Sequence, residues 1–554
     1  MANVPRSFFM LLFLVGLAPL SIPATYAQNV QAYKQTILAI QQQIETNHLD
    51  EAHSLIKVAA QQYPHDGGIE NLLGVVEIQQ GHKIEATKAF SAAILHNPRL
   101  ASAYLNLGRI EMETAATDQS ARRKALRLSL KVLEIQPGND EANYQLATIR
   151  FWDKAYQLSL GNLQKLSPES RGQVGALALL CADNAALERR EDTESTANQL
   201  ASHPDLTEQD VNTCLPGLRQ SRRADLIAKL LAASASHQPL TPAGLRFLGL
   251  AQEADGKLPL AWKTLESAFA ADNQSTVILE DLARVAKTMG DNEGALGYLA
   301  HARDLKPDDP KFAYEFAVIC VRMGLYGEAR KALTEAIRLA PNDPDYNLSM
   351  GLVVSFSEDP SQALPYLQRY HELRPRDPEG LLALGTANYR AKDYDPALRW
   401  LRQALASQKT AADAHFYIGR IARQEGDLDL AVRELKQSLA LHPQQPDALA
   451  ELGQINTTRS EFSEAATQFS EALRLEPDNY AANFGLLLLY ARTNNPGREQ
   501  QSKRFEEIKN KKEERDRQMR RVIEIRRDGE PDHLDEKPNE TRLSDEPRKH
   551  GERQ

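Results

Sequence analysis

The chain is poor in most of the features that announce a catalytic domain. Three cysteines, Cys181, Cys214 and Cys320, are too few for a disulfide framework. Segments that alternate apolar and polar residues are absent, which excludes a sheet-built fold. There is no GxxxxGK[ST] phosphate loop, no GxGxxG after a strand and no HExxH zinc pair, so no cofactor is expected. The histidines are scattered. His48 and His53 stand five apart, on different faces of a helix, and do not read as a metal pair. An excess of positive charge is also lacking: the formal net charge is −9, which disfavours a nucleic-acid partner. Long apolar runs are missing beyond the N-terminus, since Phe484 to Tyr490 is too short to span a bilayer.

The first residues read as an export signal. Arg6 precedes an apolar run from Phe8 to Leu20, broken by Pro19 and Pro23, and Thr25-Tyr26-Ala27 is a small-residue cleavage site. A run of roughly 13 residues falls short of the ~20 that a spanning helix needs. No cysteine follows the site, so a lipid anchor is not indicated. The expectation is cleavage after Ala27 and a mature chain, without a transmembrane span, in the periplasm or outside the cell; an uncleaved membrane anchor is the alternative.

What the chain does have is a period. Ala261, Ala295, Ala329, Ala363, Ala397, Ala431 and Ala465 recur every 34 residues. Pro307, Pro341, Pro375, Pro443 and Pro477 keep the same register, with Lys409 where the missing proline would stand. Twelve residues before each alanine comes a small residue (Gly249, Ala283, Ala317, Gly351, Gly385, Gly419, Gly453). Four residues after it comes a bulky one (Leu265, Leu299, Leu333, Leu367, Leu401, Leu435, Phe469). A fixed period of this length marks a solenoid of stacked supersecondary units. Each unit reads as two helices. The small residues sit where the backbones approach, the bulky residue fills the seam, and the proline ends the second helix. Gly290-Asp291-Asn292 and Gly426-Asp427 supply turns.

The pattern resembles the tetratricopeptide repeat family. Seven units from about 242 to 479 match it without insertion. Two more match near the N-terminus through Leu73, Gly74, Ala86, Phe90, Ala93 and Pro98, and through Ala52, Ile56, Ala59 and Pro64. A further unit with Tyr104, Leu107, Gly108 and Ala125 reaches Pro137 after about five extra residues. The resemblance implies an all-α solenoid of antiparallel helix pairs, non-catalytic, with the first helices lining a concave groove. Carrying over the groove positions names Arg284, Lys287, Tyr314, Arg322, Leu348, Leu352, Phe356, Leu382, Tyr389, Arg390, Phe416, Arg420 and Arg423, with Phe484 and Arg492 in the last unit. Arginines beside aromatic rings suit an acidic-hydrophobic peptide or a partner helix. The carboxylate clamp of chaperone-binding members is not carried, since its positions read Leu348, Leu352, Leu382 and Thr386.

The expected organisation is a signal peptide (1–27), an N-terminal array (28–139), degenerate helical repeats (140–241), a C-terminal array (242–496), a charged helix (497–528) and an unfolded tail (529–554). Within the degenerate part, Asn143, Leu146, Ala147 and Ala155 read as a unit whose first helix has lost a turn. Cys181 and Cys214, one unit apart, leave a disulfide open in an oxidising compartment. The charged helix reads either as a cap over the last unit or as a basic partner-binding arm. The functional expectation is an exported interaction scaffold, in the assembly of an envelope or secretion complex. A self-associating structural solenoid and an enzyme with an unrecognised site in 140–241 are the alternatives.

Overall fold

Proline placement marks where several first helices begin. In three consecutive units an aspartate precedes the first-helix proline: Asp309-Pro310, Asp343-Pro344 and Asp377-Pro378. The proline's fixed φ suits the first helical position, where no N–H is needed, and the aspartate caps the orphan donors that follow. Asp309 accepts from the Lys311 amide (3.1 Å), and Asp377 from the Gly380 amide (3.1 Å). At the turn between paired helices, Gly290 and Gly426 adopt φ +87°, a conformation that costs glycine little.

The computed structural model describes residues 24–355 and 360–519. Among them are twenty-nine α-helices and no strand, which makes the fold an all-α helical repeat. The chain divides into two compact units, Met1–Ala271 and Asp272–Gln554. The expected signal segment up to residue 23 and the tail from 529 lie outside the described residues, as does the end of the charged helix.

All seven periodic alanines are 0 % exposed. The small residue twelve positions earlier faces the bulky residue of the same unit. A Cβ built on Gly385 would stand 2.6 Å from Leu401, and one on Gly453 2.6 Å from the Phe469 ring. These are close contacts between helices that a small residue allows, as the sequence periodicity requires. The missing proline has a visible consequence. Lys409 keeps its N–H, and the helix Gln408–Glu425 starts about a turn earlier than its counterparts at Pro378 and Pro446, with Ser407 accepting from the Lys409 amide (3.3 Å).

In the first unit the helices Ala101–Ala115 and Gln119–Ile135 absorb the extra residues before Pro137. The reading of the next pair needs correction. Its first helix, Asp140–Trp152, has a full 13 residues, and the second, Tyr156–Leu163, is the shortened one. The cause is local: Ser167 caps a separate one-turn helix at Pro168–Arg171, so the preceding helix has to end before it. Two more antiparallel pairs follow, Val174–Ala186 with Arg190–Ala201 and Glu208–Gln220 with Ala224–Ala235, around a core rich in leucine. Cys181 and Cys214 are buried there as free thiols, not a disulfide. The Cys214 thiol is pushed well above its ordinary range, first by hydrogen bonding with Cys181 and then by burial. Cys320 is buried in the second unit, and burial pushes its thiol up to about 12.

At the C-terminus, the helix Arg498–Met519 lies on the helix Tyr480–Arg492. Phe505 and Ile508 are buried, with the Phe505 ring 5.0 Å from Tyr480 and 5.3 Å from Phe484. Gln501 Nε2 donates to the Asn483 carbonyl at 3.0 Å. No helix among the described residues is long and apolar enough to cross a membrane.

Candidate partner-binding groove

Helices paired antiparallel and stacked at a constant period place every first helix on the same side of its neighbours. In the second unit, side chains from four successive first helices and their approaches then meet around a cavity of about 560 Å³. Its floor is apolar. Leu348 and Leu352 come from Pro344–Ser355, Leu382 from Pro378–Arg390, and Phe416 and Tyr417 from Gln408–Glu425. Leu352 is exposed despite being apolar.

Three carboxylates stand at the edge: Glu379, Asp413 and Asp447. They recur every 34 residues, and Asp345 continues the series one unit earlier. Glu379 pairs with Lys409, and Asp345 with Arg374 at 3.1 Å. Asp413 and Asp447 meet only neutral donors among the described residues, Gln445 Nε2 at 3.5 Å and Asn479 Nδ2 at 2.9 Å. The cavity therefore offers an oily floor beside two uncompensated negative charges.

The nominated arginines and most of the nominated aromatic residues stand apart from this cavity. Of the ten charged and aromatic residues nominated for partner binding, only Phe416 lines the cavity. Arg420 and Arg423 do not face solvent freely. Their Nε atoms lie 2.9 and 2.6 Å from the two carboxylate oxygens of Glu451, which is only 5 % exposed. Neither Nε–H is well aligned for a hydrogen bond, so the contact is mainly one of charge. The Arg420 guanidinium also lies over the rings of Tyr389 (5.2 Å) and Phe416 (5.5 Å), and Tyr389 packs at 5.4 Å on Tyr417. Burial, the largest cause, pushes the Tyr389 phenol up. These side chains join one unit to the next.

The remaining nominated residues are dispersed. Arg390 Nη1 donates to the Ser355 carbonyl at 3.1 Å, and Arg492 repeats that bond to the Thr457 carbonyl at 3.2 Å. In both cases an arginine donates to a carbonyl near the end of the preceding unit's first helix, 35 residues back. Arg284 pairs with Asp281 at 2.7 Å. Lys287 lies near Glu315, whose carboxyl is raised chiefly by burial. Tyr314 packs against Tyr346 at 4.7 Å, and Arg322 is exposed. Phe356 lies outside the described residues. The leucines of the floor had been placed in the groove by the offsets that the family resemblance implies. The acidic edge was missed, although its signal was present: the second residue of each unit is Asp345, Glu379, Asp413 and Asp447 in the same 34-residue series.

Profiles of the tetratricopeptide repeat match residues 286–351 and, in overlapping stretches, 349–414, 397–446, 418–465 and 458–499. No curated protein sequence matches the chain. Several solved structures are similar. YrrB, described as a TPR protein with an unusual peptide-binding site, is 23% identical over 33% of this chain and 95% of its own, with a TM-score of 0.30. The APC/C hetero-tetramer Cut9-Hcn1 is 14% identical over 83% of this chain and 97% of its own, with a TM-score of 0.35. The pilF protein of Pseudomonas aeruginosa is 22% identical over 36% and 92%, with a TM-score of 0.31.

Proposed function

Because the chain belongs to the tetratricopeptide-repeat family, whose repeats generally mediate protein–protein interaction, we propose that it is a non-enzymatic scaffold that binds a partner segment in its second unit. The segment recognised there carries apolar side chains together with a lysine or arginine. One observation supports this polarity: Asp413 and Asp447, without a basic partner, flank the floor formed by Leu348, Leu352, Leu382 and Phe416. Apolar burial supplies affinity, and the carboxylates select for charge and register. We favour this polarity over the acidic-hydrophobic partner inferred from the arginines, because Arg390, Arg420 and Arg423 are engaged within the repeat stack.

We place the protein outside the cytoplasm on the strength of its N-terminal sequence, Arg6 to Ala27, and propose a role in assembling an envelope or secretion complex.

The binding reading is tested with a pair of fluorescent amphipathic peptides, identical in apolar residues, one bearing lysines and the other glutamates. The full chain is expected to prefer the lysine peptide, and Asp413→Lys with Asp447→Lys should reverse that preference. Equal affinity for both peptides, unchanged by the double substitution, would rule out this groove as the charge-selective site.

A further inference from the structure

Two histidines from other elements lie beside the first turn of the helix Gly67–Gln79. His65 precedes it in the turn after the helix Leu49–Gln62, and His96 is the last residue of the helix Lys83–His96. Glu70, in the first turn of Gly67–Gln79, lies between them. His96 Nδ1 is 2.9 and 2.8 Å from the two Glu70 carboxylate oxygens, and the rings of His65 and His96 are 4.7 Å apart. One ligand atom from each of the three residues lies within 4.8 Å of the others, and these residues form the one such group among the described residues.

We propose that His65, Glu70 and His96 form a binding site for a divalent transition-metal ion of the zinc type. Two imidazoles and one carboxylate are a donor set suited to zinc, and three protein ligands leave a fourth position for water or a further donor. The 4.8 Å spread closes to a coordination shell through small side-chain rotations, because His65 is exposed and Glu70 and His96 are only partly buried. The carboxylate supplies the one negative charge, so a dication is attracted and not over-neutralised.

The backbone gives an independent indication. His65 has φ +62°, in the left-handed region. Every other positive φ among the described residues falls in a turn between the two helices of one pair or, at Asn494, before the C-terminal helix. His65 alone lies in a turn between successive pairs, and this conformation brings its ring against His96. A non-glycine residue in that region is held at a cost. A second cluster in the same segment makes a useful contrast. His53 and His82 approach opposite oxygens of Glu77, at 3.5 and 2.9 Å, and do not converge on one point. A metal at the first site would link the turn before Gly67–Gln79 to the end of the following helix and so staple two helix pairs of the first unit.

The test is calorimetric titration of the full chain with zinc sulfate after removal of metal, paired with thermal melts. One high-affinity zinc per chain and a rise in melting midpoint on saturation are expected. His65→Asn with His96→Asn should abolish both, asparagine being chosen because it tolerates a positive φ. Glu70→Gln should weaken binding by about tenfold or more. His53→Asn with His82→Asn should leave binding intact. Circular dichroism confirms that each variant is folded. The assignment is overturned if the parent binds no zinc, if the His65/His96 variant binds as the parent does, or if only the His53/His82 variant loses the ion.

Discussion

Glu451 Oε2 lies 2.6 Å from Nε of Arg423, so a buried carboxylate in one repeat is balanced by a cation presented from the repeat before it. Removing one partner of such a contact strands the other's charge. Glu451→Gln is expected to destabilise the second unit by about 2 kcal/mol, below the usual figure for a fully buried pair because both arginines retain some solvent. Arg420→Glu with Arg423→Glu would gather three carboxylates and should unfold this part of the array, where free groove cations would have tolerated the change. Urea denaturation followed by circular dichroism measures both. A midpoint that does not move in either variant would mean that the contact contributes nothing.

Phe469 packs between two glycines. Cβ atoms built on Gly453 and Gly485 would lie 2.6 and 2.4 Å from its ring. Gly453→Ala should therefore cost ~1–3 kcal/mol through overpacking. Combining it with Phe469→Leu should cost less than the sum of the single changes, because the smaller side chain makes room. A thermodynamic cycle that is strictly additive would show that the ring has space to withdraw.

Asp183 is 0 % exposed, and neither carboxylate oxygen has a hydrogen-bond partner. Ser159 Oγ beside it donates instead to the Ala147 carbonyl at 2.9 Å. Burial pushes this carboxyl from 3.8 to about 7. The folded state thus holds the proton more tightly than the unfolded one. The stabilisation is fully present below pH ~4 and is lost as the pH rises towards ~7, amounting to at most ~4 kcal/mol. Asp183→Asn should flatten this part of the stability profile and raise stability at pH 8. Superimposable profiles for parent and variant between pH 4 and 8 would contradict the assignment.

Phe505 covers Tyr480 and Phe484 at the end of the last pair. Phe505→Ala should cost ~3 kcal/mol of local stability and expose the apolar end of the array. Sedimentation velocity of that variant and of a chain ending at residue 496 tests whether the covered face mediates self-association. Concentration-dependent growth is expected in both variants and not in the parent. A parent that already grows with concentration would favour the self-associating solenoid.

Export predicts a mature N-terminus at Gln28. Terminal sequencing of protein recovered outside the cytoplasm checks it, and an intact Met1 in that material would refute cleavage after Ala27.

The sequence alone determined the repeat. The 34-residue series of alanine, glycine and proline dictates where helices touch, where the seam is filled and where a helix cannot continue, because each depends on side-chain size or on a missing N–H in the residue's own unit. Read with the groove offsets that the family resemblance implies, the same register also placed Leu348, Leu352, Leu382 and Phe416 on the inner side. The tertiary structure alone decided which charges are free. Arg420, Arg423 and Glu451 look alike as exposed polar residues in the sequence, and only the stacking of one repeat on the next brings opposite charges from neighbouring units within contact distance. The same holds for His65, Glu70 and His96, whose separations follow no helical period and whose convergence depends on a single left-handed turn. Local periodicity determines which face a residue occupies, whereas the packing of successive units determines what it meets there.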